Sequence, residues 1–287
     1  MGSLDGRVAI VTGAGRGIGR EHALLFAAEG AKVVVNDVDP EPAAEVVEDI
    51  TRMGAEAVVS THDICTWSGA EALVAAAVGA FGDLHVLVNN AGFLRDRALV
   101  NMTEEEWDAV VDVHLKGHFL PSRFAATYWR EQAKAGTPVK ASIINTSSTS
   151  GLVGNIGQSN YGAAKAGIAA FTVILAQELG RYGVRVNAIA PAARTRLTEA
   201  TPGLGDLVQP PSEAAEFDVW DPANVAPLVA YLATESATES GRVYFVQGGQ
   251  VRLFQGWTMT STIERDGRWT VEELAAEMPK LAPPTAP

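Results

Sequence analysis

"VTGAGRGIG" (residues 11–19) follows the apolar start of a strand at 7–10 and runs into a helical pattern. Glycines at 13, 17 and 19 let the chain turn sharply there. They also leave bare backbone N–H groups, at the positive end of the helix dipole, free to approach a pyrophosphate. The spacing is TGxxxGxG rather than the commoner GxGxxG. An ordinary glycine-rich turn is the plain alternative, but placement at the first strand–helix junction favours the phosphate reading.

Working outward, six further runs resemble the first: "KVVVND" (32–37), "EAVVSTHD" (56–63), "LHVLVNNAG" (84–92), "ASIINTSS" (141–148), "VRVNAIAP" (184–191) and "RVYFVQGG" (242–249). They are rich in Val and Ile and do not alternate with polar residues. Strands buried on both faces of a parallel sheet have that pattern. Helical patterns lie between them. The clearest has Asp39 as N-cap, Pro40 in the first turn, Ala43, Val46, Val47, Ile50 and Met53 on one face, and Gly54 as its stop. Alternation of this kind predicts an α/β fold: a single-domain, Rossmann-like, doubly wound parallel sheet of seven strands with helices on both faces. The domain is expected to span 1–250. A C-terminal extension, 251–287, is expected to hold a short helix opened by a Thr270–Glu273 capping box, then a disordered end with four prolines in nine residues.

The chain has 287 residues and a formal net charge of −12, so no basic excess is available for a nucleic-acid surface. A single cysteine, Cys65, excludes an internal disulfide and fits a reducing compartment. No signal-peptide pattern and no apolar run near the roughly 18–20 residues of a membrane span are visible. The expectation is a cytoplasmic protein with no membrane and no nucleic-acid partner.

Other motifs sit at strand ends, where a doubly wound sheet binds its ligand. Asp37 ends the second strand. A carboxylate there accepts hydrogen bonds from adenosine ribose hydroxyls and repels a 2′-phosphate, which favours NAD; helix capping is the bland alternative. Arg16, in the glycine turn, could instead hold that phosphate. "NNAG" (89–92) ends the fourth strand with small residues on which a cofactor can lie. Asp63 and Ile64, after the third strand, either flank the adenine or belong to a simple turn.

In "NIGQSNYGAAK" (155–165), Tyr161 and Lys165 are four apart on one helix face. A phenol is a poor base at neutral pH, and a nearby ammonium favours the phenolate. Such a pair makes a general acid–base, and Ser148, at the end of the fifth strand, can bond the same substrate oxygen.

Taken together, these motifs resemble the short-chain dehydrogenase/reductase family over about residues 5–250. The resemblance implies catalytic Ser148, Tyr161 and Lys165. It implies a cofactor site made by Thr12, Gly13, Arg16, Gly17, Ile18, Gly19, Asp37, Asp63, Ile64, Asn90, Ala91, Gly92 and Pro191, with Tyr161 and Lys165. It also implies a homodimer or homotetramer, packed through the small-residue helix around Tyr161. Two positions depart from the family pattern. His114 stands where an asparagine usually shapes a proton relay, and Pro191-Ala192 replaces Pro-Gly. These, with "NNAGFLRDRAL", "GNIGQSNY" and "RTRLT", resemble the subgroup of (3R)-hydroxyacyl-CoA dehydrogenase domains of multifunctional β-oxidation enzymes and bacterial relatives acting on steroid or acyl-CoA substrates. His114 and His118 could in principle hold zinc; no HExxH pattern supports this, and no metal is expected.

The irregular stretch from Pro191 to about Trp220 mixes Leu197, Leu204, Leu207, Val208 and Phe217 with Arg194 and Arg196. An apolar lid with arginines at its base suits a greasy, anionic substrate such as an acyl-CoA or a steroid with a CoA thioester on its side chain. Surface pairing of the arginines with Glu199 or Glu213 is the alternative. The expected function is hydride transfer between NAD and a secondary alcohol or ketone, with Tyr161 moving the proton. A hydroxysteroid dehydrogenase, an NADP-dependent ketoreductase and a non-enzymatic dinucleotide-binding protein are the rivals.

Overall fold

A computed structural model describes residues 2–199, 205, 208–212 and 216–281. Seven strands are parallel: β1 (Val8–Thr12), β2 (Lys32–Asn36), β3 (Ala57–Ser60), β4 (Val86–Asn89), β5 (Ala141–Thr146), β6 (Val184–Pro191) and β7 (Val243–Gln247). An eighth strand, β8 (Gln250–Leu253), goes beyond the seven expected and pairs antiparallel with β7. All four of its residues are exposed, so it carries none of the apolar run that marks the others. Strand order is β3-β2-β1-β4-β5-β6-β7-β8. The chain reverses direction of winding between β1 and β4, and this switch point opens a crevice at their carboxyl ends.

The helices are α1 (Gly17–Ala28), α2 (Pro40–Arg52), α3 (Trp67–Phe81), α4 (Glu104–Val111), α5 (Gly117–Lys134), α6 (Thr149–Leu152), α7 (Ser159–Leu179), α8 (Arg196–Glu199), α9 (Ala226–Ala233) and α10 (Val271–Glu277). Side chains of each strand alternate between two cores. Ala9, Val11, Val33 and Val35 face Phe26, Val46, Ile50 and Val229 of α1, α2 and α9. Val8, Ile10 and Val34 face Leu73, Phe124, Trp129 and Leu175 of α3, α5 and α7. Both faces are dry, which is why the strand sequences lack alternation.

On α2, Ala43, Val46 and Ile50 are buried as the spacing predicts. Met53 is not on the buried face: it is the C-cap and exposed, with Gly54 following at φ +82°. Asp39 occupies the N-cap position without capping, because its carboxylate pairs with Arg16. Ser159–Tyr182, which includes α7, is by length and apolarity enough to cross a membrane, unlike the expectation from apolar runs. Its alanines supply the hydropathy, yet Lys165 lies buried in its middle, and the helix packs along β6 and α6.

The main compact unit is Met1–Leu253, since β8 belongs to the sheet, so the extension starts at Phe254 rather than at 251. Within that extension α10 is opened by the Thr270–Glu273 capping box. Pro279 lies in a 3-10 turn, Met278–Leu281, and the other three prolines of the terminus lie outside the described residues.

Inside the main unit, His22 of α1 has no solvent contact, and neither ring nitrogen has a hydrogen-bond partner. Burial pushes its pKa down to about 3. His114 is likewise lowered to about 3 and His118 lies well below its ordinary value, both chiefly through burial. The folded state therefore keeps these rings neutral while the unfolded chain protonates them below about pH 6.5. The histidine contribution should be constant above pH 7 and should fall as pH drops from about 6.5 towards 5, by up to about 1.4 kcal/mol per pH unit for each histidine. Urea unfolding at pH 8, 7, 6 and 5 checks this. His22→Leu should raise stability at pH 8 by about 1–3 kcal/mol, because an unbonded buried ring is exchanged for an apolar one, and should reduce the acid slope.

Candidate active site

β1 ends at Thr12, and the next residues turn with Gly13 at φ +62° and Gly17 at φ +53°. A Cβ on Gly13 would lie 2.7 Å from the Ala91 Cα, and one on Gly19 would lie 2.2 Å from the Gly13 oxygen. Only glycine allows the turn to close this tightly on "NNAG". Thr12 Oγ1 accepts the Asn90 and Ala91 N–H groups at 3.0 and 3.2 Å. Asn90 Nδ2 donates back to the carbonyls of Thr12 and Gly13. The two motifs across the switch point are thus one hydrogen-bonded piece. Ile18 packs its side chain into the adjoining core.

α1 begins with no side-chain cap, so the leading N–H groups of this twelve-residue helix remain for an anion. Asp37 Oδ2 accepts the Gly15 N–H at 3.1 Å and Oδ1 accepts the Asp39 N–H at 3.1 Å. Arg16 is tied to Asp39 at 2.7 Å. Two carboxylates and one guanidinium therefore surround the spot, leaving net negative charge. Asp63 makes a local turn, its Oδ1 accepting from Cys65 N at 2.8 Å. The Ile64 side chain is buried among α3 and α5 core residues. Turn chemistry and core packing account for those two side chains.

The other half of the site lies past β5. Ser148 caps α6, and its Oγ accepts the Ser150 N–H at 3.2 Å. A Cβ on Gly151 would lie 2.4 Å from Ala166 N, and one on Gly162 would lie 3.1 Å from the Ser150 oxygen. The small residues around Tyr161 therefore have a role within the chain: they let the serine turn press against α7. Asn160, fully buried, anchors the start of that helix by donating to the Arg95 and Glu106 carbonyls at 3.0 and 3.1 Å. Lys165 is 2 % exposed, and Nζ donates to the Thr146 carbonyl at 2.5 Å. Nζ sits 5.5 Å from the centre of the Tyr161 ring. Burial pulls the lysine down to about 7. Burial also pushes the Tyr161 phenol up, the Ser148 hydroxyl beside it pulling the other way and Asp96 adding to the rise. Within the chain alone, desolvation drives both groups towards their neutral forms.

His114 lies in a π-helical segment, Asp112–Lys116, between α4 and α5. Its Nε2 is 2.7 Å from the Phe93 carbonyl oxygen, and its ring meets that of Tyr161 edge-on, with centroids 5.0 Å apart. Gly92 makes room for it, since a Cβ there would lie 2.1 Å from Cε1. His118, one turn on, bonds Thr146 instead, so the two imidazoles serve different backbone groups. Among the described residues no group of three His, Cys, Asp or Glu could hold a metal ion.

β6 carries Pro191 to its end beside Val246. Arg194 is committed to the loop itself. It pairs with Asp218 and donates to the Val208 carbonyl at 3.0 Å. The partner is Asp218 rather than Glu199. Arg196 is exposed at the start of α8. Val208 is buried and Phe217 exposed; Leu204, Leu207 and Glu213 lie outside the described residues, as does the Leu197 side chain. Thr195, not singled out from sequence, faces the glycine turn, its Cγ2 3.5 Å from where a Gly17 Cβ would be. It lies in the "RTRLT" stretch, but only folding brings residues 17 and 195 together.

These residues fit a dinucleotide. An uncapped helix start suits a pyrophosphate, Asp37 offers acceptors at the second strand's end, and Lys165 has N–H groups beyond the one taken by Thr146. Residues 7–203 match the family described as short chain dehydrogenase. The chain is 48% identical to the hydroxyacyl-CoA dehydrogenase ChsB1 of Mycobacterium tuberculosis over 96% of this chain and 88% of that protein. It is 44% identical to the peroxisomal multifunctional enzyme type 2 of Drosophila melanogaster over 83% of this chain, but spans only 38% of that protein. The crystal structure of a short chain dehydrogenase from Mycobacterium avium superposes with a TM-score of 0.90 at 49% identity, covering 99% of this chain and 98% of that one. The chain belongs to the short-chain dehydrogenases: it is an oxidoreductase acting on a CH–OH group with a nicotinamide dinucleotide.

Proposed function

We propose that this protein is an NAD-dependent 3-hydroxyacyl-CoA dehydrogenase, in which Ser148, Tyr161 and Lys165 carry the proton chemistry. The observation that carries this reading is the convergence of those three side chains past the end of β5, in a chain whose glycine turn after β1 is flanked by the Asp37 carboxylate. A bound oxidised nicotinamide supplies a positively charged hydride acceptor, which the chain's own groups do not. Tyr161, as phenolate, takes the substrate hydroxyl proton. Ser148 holds that oxygen. Lys165, kept in place by Thr146, offers its remaining N–H groups to the cofactor ribose, and its charge favours the phenolate. Thr195 lies over the glycine turn and helps position the cofactor.

The acyl-CoA substrate is supported by the relatives, which include a hydroxyacyl-CoA dehydrogenase and a peroxisomal multifunctional enzyme. With Arg194 held by Asp218, Arg196 is the loop arginine proposed to meet the anionic part of the substrate. A soluble homo-oligomer, cytoplasmic, completes the proposal. Phe119, Val173 and Ile174 are exposed on α5 and α7, an apolar face that a second copy would cover.

Tyr161→Phe should abolish turnover while leaving NADH binding within a few fold, because the ring keeps its packing and loses only the proton-transfer group. NAD should be preferred over NADP by at least about tenfold in kcat/KM, since Asp37 repels a 2′-phosphate and Arg16 is neutralised by Asp39. A clear NADP preference in steady-state kinetics would overturn that part.

His114→Asn should retain substantial activity and His114→Leu should lose more, since only the amide can bond Phe93 or relay water. Equal activity of the Leu variant and the wild type would show that the ring merely fills space. For the substrate, a 3-hydroxyacyl-CoA thioester should outperform the free acid and an uncharged hydroxysteroid. Arg196→Ala should raise KM for the thioester more than for an uncharged alcohol. Better turnover of the uncharged alcohol, with no selective effect of Arg196→Ala, would remove the CoA assignment.

A further inference from the structure

β4 and β5 stay paired only as far as Asn89 and Asn145. Beyond that point β4 leaves the sheet, because Asn90 is drawn to Thr12 across the switch point. Thr146 is still paired with Ile189 of β6 on its other side. Its N–H, facing the departed strand, would be buried with no partner, a costly arrangement. His118 of α5 fills the gap: its Nε2 accepts the Thr146 N–H at 3.3 Å. The ring has no solvent contact, and Thr146 is buried. The carbonyl of this same residue holds the Lys165 ammonium at 2.5 Å.

We propose that His118 is a positioning residue for Lys165: by taking the place of the missing strand at Thr146, it fixes the carbonyl that aims the ammonium. This rests on the assignment of Lys165 above. Accepting at Nε2 requires the proton to be on Nδ1 and the ring to be neutral. Burial keeps it so, and the acceptor is present throughout the working pH range. The same helical stretch thus steadies both rims of the crevice. His114 bonds Phe93 on the chain leaving β4, and His118 bonds Thr146 at the end of β5. Asn89, whose Nδ2 donates to Ser122 Oγ and Asn145 Oδ1 at 2.9 Å each, ties α5 to the two strands below them.

The test uses the full chain with His118→Leu, which keeps the volume but accepts nothing, and His118→Gln, whose Oε1 can reach the position of Nε2. NADH affinity by fluorescence titration and kcat are measured for each, with thermal melting as the control for folding. The Leu variant should bind NADH about tenfold more weakly and lose at least about tenfold in kcat. The Gln variant should recover most of both losses even where its melting temperature falls as far as that of the Leu variant. If the Leu variant does not fold, His118→Ser, too short to reach Thr146, replaces it under the same readings. A folded Leu or Ser variant within twofold of wild type in both readings, or a Gln variant no better than Leu at equal melting temperature, overturns the proposal. Lys165→Met is run beside them. If it retains wild-type NADH affinity and turnover, the assignment of Lys165 itself fails; if it loses both while His118→Leu does not, only the role of His118 fails.

Discussion

An ammonium removed from water must be met by an acceptor, and for Lys165 that acceptor is the Thr146 carbonyl. Much of the site's architecture serves this contact. β5 must end where it does, between β6 and the departing β4, for Thr146 to present its oxygen. α6 must lie close on α7, which Gly151 and Gly162 permit. Ser147 Oγ also donates to the Lys165 carbonyl at 2.8 Å, binding the strand end to the helix backbone. The result is a lysine near neutrality and a phenol raised above its usual value. Both are displaced from their ordinary charge states by burial. Such a pair is at rest until another positive charge enters, and that suits a site whose cofactor brings one.

The same economy of groups is seen at the adenosine end. Asp37 bonds the backbone of the turn that it faces, so its carboxylate is a brace for Gly15. Asp39 neutralises Arg16 rather than capping α2. Arg16 from the loop after β1, with Asp37 and Asp39 from the loop after β2, together leave net negative charge at this spot.

The seven parallel strands were legible in the sequence because burial on both faces demands unbroken Val and Ile runs, and the glycine turn because its φ angles and close contacts exclude other residues. β8 was not legible, since Gln250, Val251, Arg252 and Leu253 are exposed at a sheet edge and pack against little. Ser148, Tyr161 and Lys165 stood out because their chemistry is carried by residue types at short spacing. What could not be read are the contacts between distant segments: Asn160 with Arg95 and Glu106, Arg194 with Asp218, Thr195 over Gly17, and His118 under Thr146. Each joins residues 24 or more apart only through the fold, and a histidine on an apolar helix face has no sequence mark that separates a backbone-capping ring from a metal ligand or a filler.

In the proposed reaction the Tyr161–Lys165 site oxidises the 3-hydroxyl of an acyl-CoA by passing the hydrogen on carbon to the nicotinamide ring. Its most direct test is isotopic. A 3-hydroxyacyl-CoA carrying deuterium at C3 is turned over with NAD, and the reduced cofactor is analysed by mass spectrometry. One deuterium per NADH formed is the result required by this account; unlabelled NADH, or no NADH at all from the thioester, would contradict it.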